Sequence, residues 1–249
     1  MRRRFFVDRF ERNSAALHDE AADHLGRVLR AEPGQLYELS DGQSVWLARI
    51  ERVGLSKRGP NRIEFALVEP IESAEPSLRI RLLVSIVKFD RFEWCLEKAT
   101  ELGVDEIIPL AAARTDRALI AAAEKRQERW TRILLESAQQ SRRLRPPVLQ
   151  SVVHPSDAFA ESTAAAKIFL SERREAQSLR QLFTASQPIK AAQTSVALAI
   201  GPEGGWTDEE LSSARANGFL EASLGENILR TETAVIASIA IVLFVLGTN

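Results

Sequence analysis

Residues 196–210 read VALAIGPEGGWTDEE and place a strand-like run, a glycine-rich loop and a helix start in immediate succession. The apolar residues Val196–Ile200 are typical of a buried strand. Thr207 and Glu210 have the spacing of a capping box, which predicts a helix that begins directly after the loop. Glycine lets a backbone approach a ligand closely, because no Cβ stands in the way. The stretch therefore predicts an α/β sheet with a ligand-binding loop at the carboxyl end of a strand.

The chemistry of this loop narrows the class of ligand. The loop has neither the Lys-Ser/Thr pair of a phosphate-binding P-loop nor the GxGxxG spacing of a dinucleotide site. Pro202 and the acidic Glu203 disfavour a pyrophosphate and favour a neutral or cationic ligand, of which S-adenosylmethionine is an example. The alternative is a tight turn with a purely structural role.

A second loop lies at residues 224–234, which read LGENILRTETA and lead into the apolar segment Val235–Leu246. Its threonine and glutamate residues suit a helix N-terminus, where hydroxyl groups cap free N–H groups and acidic side chains interact favourably with the helix dipole. Ile228 and Leu229 suit contact with an adenine ring. Arg230 does not fit a capping role, since a cation at the positive end of a helix is mildly unfavourable. Such a locally disfavoured charge marks Arg230 as a functional candidate.

The pattern around these loops predicts two domains. Residues 1–72 contain four strand-like runs, a hairpin signal at Asp41-Gly42 and one helix over about 19–29, which predicts a small barrel-like domain. From Leu78 onward, strand-like runs alternate with helical patterns, which predicts a mostly parallel sheet with helices on both faces. The proline-containing stretch 69–77 is the expected boundary. The expected strands lie at 4–7, 35–39, 44–53, 62–68, 80–87, 106–110, 167–170, 196–200 and 219–224, and the later helices at 91–102, 124–141, 178–183, 208–217 and over the last apolar segment.

The composition is that of a folded globular protein. The 249 residues are 45% hydrophobic and 27% charged, which is enough apolar material for a sizeable core. The single cysteine, Cys95, excludes an intrachain disulfide, and the three histidines lack metal-ligand spacing, so no metal site is expected. The N-terminal apolar run is too short for a secretion signal, and Val235–Leu246 is too short for a membrane span of about 20 residues. We therefore expect a cytoplasmic protein with no membrane partner.

The distribution of charge favours a nucleic-acid partner, although the net charge of −1 does not. Residues 77–145 carry 14 basic and 10 acidic side chains, and 27 of the 33 basic residues are arginine. Arginine binds phosphates bidentately and stacks on bases. Arginines crowd near the N-terminus and again at 142–145, where Glu136, Gln140 and Arg143 share one helix face. Such a face either lines an RNA groove or is simply solvated.

Six short motifs are spread over nearly the whole chain. They are RRRFFV at 2–7, HLGRVLR at 24–30, KATELGV at 98–104, ESAQQSRR at 136–143, IGPEGGW at 200–206 and LGENILRTETA at 224–234. Together they resemble the ribosomal RNA small subunit methyltransferase E family, the bacterial 16S rRNA uridine-N3-methyltransferases of the SPOUT superfamily. The chain departs from the family pattern at Asn227, where arginine is usual, and at Ser137 and Gln139, where alanine and glutamate are usual.

The resemblance implies a fold, a cofactor and partners. The implied architecture is an α/β chain with a PUA-like RNA-binding β-barrel over residues 1–74 and a SPOUT methyltransferase domain over residues 77–249, which ends in a trefoil knot. The implied cofactor is S-adenosylmethionine, and the implied substrate is 16S rRNA or the small ribosomal subunit. A homodimer with composite active sites is also implied. No metal is needed, because the leaving group of the methyl donor is already a cation.

The resemblance also implies roles for individual residues. Uracil N3 attacks the sulfonium methyl in line, Arg230 stabilises the uracil anion, and Glu203 or Glu232 takes the N3 proton. The implied cofactor-binding residues are Leu170, Ile200, Gly201, Pro202, Gly204, Gly205, Leu224, Gly225, Ile228, Leu229, Thr233 and Ala234. The implied RNA-binding residues are Arg2, Arg3, Arg4, Arg30, Lys88, Gln140 and Arg143, the last reaching the site of the other protomer.

Two other functions are compatible with the residues. A SPOUT ribose 2′-O-methyltransferase acting on RNA uses a hydroxyl nucleophile, and the mass of the modified product separates base from ribose methylation. A non-catalytic RNA-binding ribosome-assembly factor is favoured by Asn227, where the usual cation is missing. A nucleotide-phosphate enzyme is disfavoured by the missing P-loop lysine.

Overall fold

The computed structural model of the protein describes residues 3–56, 59–73, 75–184 and 195–247. The chain divides into two compact units. One consists of Met1–Glu75 together with Ala138–Pro146, and the other of Pro76–Ser137 together with Pro147–Asn249. Residues 77–249 were predicted to form one domain, whereas Ala138–Pro146 groups with the N-terminal strands.

The first unit contains a curled, mixed sheet of five strands. They are β1 (Arg4–Phe6), β2 (Ser14–His18), β3 (Leu36–Ser40), β4 (Val45–Gly54) and β5 (Arg62–Ile71). Their order is β1-β3-β4-β5-β2, in which β1 and β3 are parallel and the other neighbours are antiparallel. Register shifts between Leu47 and Ala48 and between Ile50 and Arg52 bend the β4–β5 pair.

The predicted hairpin at Asp41-Gly42 is confirmed. β3 and β4 pair antiparallel, with Ser40 opposite Val45. Gly42 has a φ of +85°, a left-handed conformation that favours glycine. Asp41 Oδ1 accepts a hydrogen bond from the Ser44 N–H at 2.8 Å. Local turn chemistry therefore accounts for this connection.

Two features of the first unit differ from the sequence prediction. β2 was not predicted, because its sequence SAALH contains residues of low strand propensity. It pairs with β5 and buries Ala15 and Leu17. The helix expected over 19–29 is a short helix, α1 (Asp19–Asp23), followed by a π-helical turn, His24–Val28. A Cβ on Gly26 would lie 2.7 Å from the end of the Leu55 side chain, which would have to shift to accommodate it.

The segment Ala138–Pro146 belongs to the first unit through contacts with β3. Ser40 Oγ donates a hydrogen bond to the Leu144 carbonyl oxygen at 2.6 Å. Arg142 Nη1 lies 3.5 Å from Glu38 Oε1. Ser40 and Leu144 are 104 residues apart in the chain, so no local pattern reveals this pairing.

The described residues of the second unit form a sheet of seven parallel strands. They are β6 (Arg79–Ser85), β7 (Glu106–Leu110), β8 (Val148–Leu149), β9 (Ala166–Leu170), β10 (Gln177–Ser178), β11 (Ser195–Ile200) and β12 (Leu220–Ser223). Their order is β10-β12-β9-β11-β6-β7-β8, and every neighbouring pair is parallel. The helices that follow in the chain are α2 (Phe89–Glu101), α3 (Arg117–Ala123), α4 (Gln127–Gln140), α5 (Pro155–Glu161), α6 (Leu179–Thr184), α7 (Asp208–Ala216) and α8 (Thr231–Leu246), with a 3-10 turn at Glu124–Arg126. The predicted parallel α/β sheet is confirmed.

Helices cover both faces of this sheet, and a core lies under each layer. Along β11 the larger apolar side chains face one core and the two alanines face the other, because successive strand residues point to opposite sides. The larger core includes Phe92 of α2, Trp130 of α4 and Val235 of α8. The smaller core includes Phe159 of α5 and Leu211 of α7.

The helices α3 and α5, each seven residues long, were not predicted from the sequence. The last helix, α8, begins at Thr231, four residues before the predicted apolar segment, and has 16 residues. Among the described residues, the helices are all too short or too polar to cross a lipid bilayer.

Candidate functional site

A cavity of about 310 Å³ opens at the carboxyl ends of β9, β11 and β12, which are neighbours in the sheet. The loops that leave these strands form its walls, and the start of α8 closes one side. Its volume lies in the range of small-molecule sites. Its position is where open α/β sheets bind ligands.

The glycine-rich loop after β11 is held in a tight conformation. Gly205 has a φ of +68°, and its N–H donates to the Pro202 carbonyl oxygen at 2.8 Å. A Cβ on Gly201 would lie 3.1 Å from the Trp206 ring. Trp206 Nε1 donates to the Leu170 carbonyl oxygen at 2.8 Å and so joins this loop to the end of β9. The loop therefore needs its glycines for close packing and for backbone conformation.

The helix after this loop begins as predicted. Thr207 Oγ1 accepts a hydrogen bond from the Glu210 N–H at 3.2 Å, and Glu210 Oε2 accepts one from the Thr207 N–H at 2.8 Å. This reciprocal pair is the capping box read from the sequence. It confirms that the loop ends at Thr207.

Arg114 supports the loop from a distant part of the chain. Its Nη1 donates to the Gly204 carbonyl oxygen at 2.7 Å. The neighbouring Ala113 N–H donates to Glu210 Oε1 at 2.8 Å. Arg114 was not predicted as a site residue, because it lies 90 residues before Gly204 and belongs to none of the motifs.

The second loop joins β12 to α8 and contacts the first. Gly225 has a φ of +133°, and its N–H donates to Ser223 Oγ at 3.1 Å. Thr231 Oγ1 donates to the Gly201 carbonyl oxygen at 3.3 Å, which joins the two loops. Ile228 is 79% exposed although it lines the cavity. A large apolar side chain left open beside a cavity is available to a ligand.

A charged cluster lies beside the glycine-rich loop. Arg91 of α2 donates from Nη1 to Glu203 Oε1 at 3.1 Å, and its Nε lies 4.0 Å from Glu232 Oε1.

Cys95 lies one helical turn after Arg91 and is fully buried. Burial raises the pKa of Cys95 to about 12, with further contributions from the charges of Glu232 and Glu203. The thiol is therefore neutral and unreactive at ordinary pH.

This thiol makes a testable contribution to stability. The folded chain retains the proton to about pH 12, whereas an ordinary cysteine releases it near 9.0. The stabilisation is therefore complete below pH 9 and is lost as the pH rises toward 12. Between about pH 8 and pH 10, we expect the free energy of unfolding to fall by about 1.4 kcal/mol more for the wild type than for Cys95→Ala. Denaturant unfolding at both pH values measures this, and equal losses contradict it.

Most of the cofactor-binding residues inferred from the resemblance line the cavity. Gly204 is not among the lining residues and instead binds Arg114 through its carbonyl oxygen. Thr233 is exposed on α8 and is also not among them. The lining residues that the sequence analysis named are Leu170, Ile200, Gly201, Pro202, Gly205, Leu224, Gly225, Ile228, Leu229 and Ala234.

The three candidate catalytic residues have different surroundings. Glu203 lines the cavity. Arg230 is exposed between the lining residues Leu229 and Thr231, and its side chain makes no capping hydrogen bond at the start of α8. Glu232 is not a lining residue, and its side chain is only 14% exposed.

The candidate RNA-binding residues are not equally accessible. Arg4 is buried in an ion pair with Glu38, at 2.9 Å, so its guanidinium is not presented to a phosphate. The reason is that β1 pairs with β3 in register, with Arg4 opposite Glu38. Arg2 lies outside the described residues. Arg3, Arg30, Lys88 and Gln140 are exposed, and Arg143 is half-buried.

The chain matches known proteins over most of its length. A family model described as an RNA methyltransferase domain matches residues 74–243. Ribosomal RNA small subunit methyltransferase E of Synechocystis is 33% identical over 87% of this chain and 68% of its own length. The protein of that name from Aquifex aeolicus is 26% identical over 96% of this chain and 98% of its own length.

A solved structure shares the fold. Ribosomal RNA small subunit methyltransferase E from Neisseria gonorrhoeae, bound to S-adenosyl methionine, superposes with a TM-score of 0.84 at 30% identity and covers 99% of both chains. The cavity and loops described above thus occur in a chain that is similar throughout to these proteins. The chain belongs to the ribosomal RNA small subunit methyltransferase E family.

Proposed function

We propose that this chain methylates N3 of a uracil in the 16S rRNA of the small ribosomal subunit, with S-adenosylmethionine as methyl donor. The observation that carries the proposal is the cavity at the carboxyl ends of β9, β11 and β12, in a family whose Neisseria gonorrhoeae member binds this cofactor. The chain is an S-adenosylmethionine-dependent rRNA methyltransferase. What we propose beyond this activity is that the methyl group is transferred to N3 of a uracil.

The residues of the cavity fit the cofactor. An apolar wall that includes Leu170, Ile200 and Leu229 suits the adenine ring. The acidic residues Glu172 and Glu203 suit a ligand that carries an ammonium and a sulfonium group. Arg114 lines the same cavity and suits the carboxylate of the methionine part. The cavity therefore offers apolar surface, charges of both signs and closely packed glycine backbone. These features match the adenine ring and the charged groups of S-adenosylmethionine.

The proposed chemistry needs alignment and charge stabilisation. When bound, S-adenosylmethionine supplies a methyl group on a sulfonium centre. The protein must orient uracil N3 in line with that methyl group and stabilise the negative charge left when N3 loses its proton. Arg230 supplies the positive charge for this anion. Glu203 is better situated than Glu232 to take the proton, since it lines the cavity and Glu232 does not.

The proposed RNA contacts lie on both units. The first unit, as a PUA-like domain over residues 1–74, would bind the RNA backbone through Arg3 and Arg30, which are exposed. The SPOUT domain proposed for residues 77–249 would contribute Lys88 from the second unit and Gln140 from the segment Ala138–Pro146, which groups with the first unit. Its three cavity loops, together with α8, would form the trefoil knot of a SPOUT domain. A uracil normally pairs through N3, so the target base must be unpaired. We expect the protein to be cytoplasmic, because its proposed substrate is the small ribosomal subunit.

The proposed assembly is a homodimer. The outer face of α8 exposes Phe244, which is 90% accessible, and Val245, which is 40% accessible. Trp94 of α2, the helix that packs beside α8, is 42% accessible. Large apolar side chains left exposed on two helices that pack together are typical of a subunit interface. A second copy of the chain is the occupant that family resemblance favours.

This proposal predicts an effect of one substitution on the oligomeric state. Phe244→Asp is expected to convert the dimer to a monomer, because a carboxylate buried in an apolar contact has no partner. Size-exclusion chromatography with light scattering measures the mass. Val68→Asp is a matched control, since Val68 is 49% exposed on the first unit. A monomeric wild type, or a Phe244→Asp dimer, contradicts the proposal.

The methylation itself is tested with tritium-labelled S-adenosylmethionine and small ribosomal subunits that lack the modification. Label in 3-methyluridine after nucleoside analysis supports the proposal. Label in a 2′-O-methylated nucleoside supports a ribose methyltransferase instead. Cofactor binding without transfer to subunits or to naked 16S rRNA supports an assembly factor.

A further inference from the structure

We propose that Arg91 is a positioning residue that joins the glycine-rich loop to the start of α8 and holds the Glu203 and Glu232 carboxylates for the reaction. The inference rests on the proposed function, because it assigns Arg91 a role in the same cavity. Neither of the two loops contains Arg91. It lies on α2, in a stretch whose charges the sequence alone does not distinguish from ordinary surface charges.

The contacts of Arg91 reach the glycine-rich loop and the start of α8. Its Nη1 is 3.1 Å from Glu203 Oε1, and Glu203 lies in the loop after β11. Its Nε is 4.0 Å from Glu232 Oε1, and Glu232 is the second residue of α8. A guanidinium suits this arrangement because its donors point in several fixed directions. Together with the Thr231–Gly201 hydrogen bond, Arg91 thus provides a second connection between loop and helix.

Glu232 depends on Arg91 for compensation of its charge. The Glu232 side chain is 14% exposed, and within the described part of the chain its Oε2 is buried without a hydrogen-bond partner. A buried carboxylate that loses its cation is strongly destabilising. Removal of Arg91 would therefore leave Glu232 with an uncompensated charge, which it relieves by moving toward water. That movement displaces the start of α8, where Thr231 and Ala234 line the cavity.

The helix that carries Arg91 is rigidly held. Phe92, Cys95 and Leu96 of α2 are fully buried in the larger core, which also contains Val235 and Ile239 of α8. Arg91 is 29% exposed at its side chain, so it lies at the edge of this core. A long side chain on a fixed helix can therefore hold the glycine-rich loop and the start of α8 in a constant relative position. This arrangement distinguishes Arg91 from an ordinary surface arginine.

The experiment compares Arg91→Ala, Arg91→Lys and Arg129→Ala in the full-length protein. Arg129→Ala is the matched control. Arg129 of α4 forms two hydrogen bonds, both of 2.8 Å, with Glu93 of α2, the helix that carries Arg91. Neither residue of this pair lines the cavity. Isothermal titration with S-adenosylmethionine alone gives the dissociation constant, and steady-state methylation gives kcat and KM. Circular dichroism checks that each variant is folded.

We expect Arg91→Ala to weaken cofactor binding about tenfold and to lower kcat about 100-fold, the size of effect that a misplacement of about 1 Å produces. Arg91→Lys should recover part of both losses, since lysine retains the charge but cannot contact both carboxylates. Arg129→Ala should leave both constants unchanged. A wild-type dissociation constant for Arg91→Ala, or an equal loss for Arg129→Ala, overturns the inference.

A double-mutant cycle keeps the test informative if Arg91→Ala is poorly folded. In a Glu232→Gln background the buried charge is absent, so we expect Arg91→Ala to weaken binding at least about threefold less than in the wild type. Additive effects overturn the inference. Binding of the cofactor is measured without RNA, so this outcome is independent of which nucleotide is methylated. Failure of the uracil N3 assay with normal cofactor binding would refute the proposed function alone.

Discussion

Arg230→Ala is expected to lower the rate of methyl transfer about 100- to 1,000-fold, while the affinity for S-adenosylmethionine stays within about twofold of the wild type. Arg230 is exposed and makes no capping hydrogen bond to α8, so its side chain is not required for the local fold. Its neighbours Leu229 and Thr231 line the cavity, so the Arg230 backbone lies beside the site. Loss of one group that stabilises a developing anion costs this much in other enzymes.

The measurement is tritium transfer to unmodified small ribosomal subunits, with titration calorimetry for the cofactor. Arg215→Ala is the matched control, because it removes another solvent-accessible arginine of the same unit, which pairs with Glu221 rather than lining the cavity. A near wild-type rate for Arg230→Ala would show that another group stabilises the uracil anion. Loss of cofactor affinity in step with rate would show that Arg230 contributes to binding instead.

Gly205→Ala is expected to weaken binding of S-adenosylmethionine about 10- to 100-fold, because a side chain at positive φ costs about 1–3 kcal/mol. Gly205 has a φ of +68° and lines the cavity. A Cβ at this position would lie 3.1 Å from Glu172 Oε1, another lining residue. The loop can relieve the strain only by giving up the conformation that shapes the cavity wall.

Gly218→Ala separates backbone strain from damage to the site. Gly218 has a φ of +80°, and a Cβ there would meet nothing within 4 Å. Both variants should lose comparable thermal stability, whereas only Gly205→Ala should lose cofactor affinity. Equal affinities for the two variants would mean that the Gly205 conformation does not matter for binding.

Local signals in the sequence were sufficient for much of the fold. The capping box of Thr207 and Glu210 and the turn at Asp41-Gly42 both occur as predicted, because each depends on residues only a few positions apart. The alternation of strands and helices was also readable, since burial on both faces makes parallel strands continuous apolar runs. β2 and the short helices α3 and α5 escaped detection, because short elements with ordinary composition carry little periodic signal.

The candidate site, like the fold, could be predicted only in part from the sequence. The two loops that line the cavity were identified, because glycine, proline and a misplaced Arg230 are informative within a short window. Arg91 and Arg114 were not identified, since their partners Glu203 and Gly204 lie 112 and 90 residues away. The accessibility of Arg4 was also hidden, because it depends on the pairing of β1 with β3.

The sequence by itself determined most of the longer elements, their alternation and the two glycine-containing loops of this protein, because backbone conformation and capping are governed by neighbouring residues. Only the tertiary structure decided which charges meet. It buried Arg4 against Glu38, set Arg91 between Glu203 and Glu232, and brought the Trp206 ring to the end of β9. Ion pairs and buried hydrogen bonds depend on distances in space between residues that are remote in the chain, and no local period records those distances.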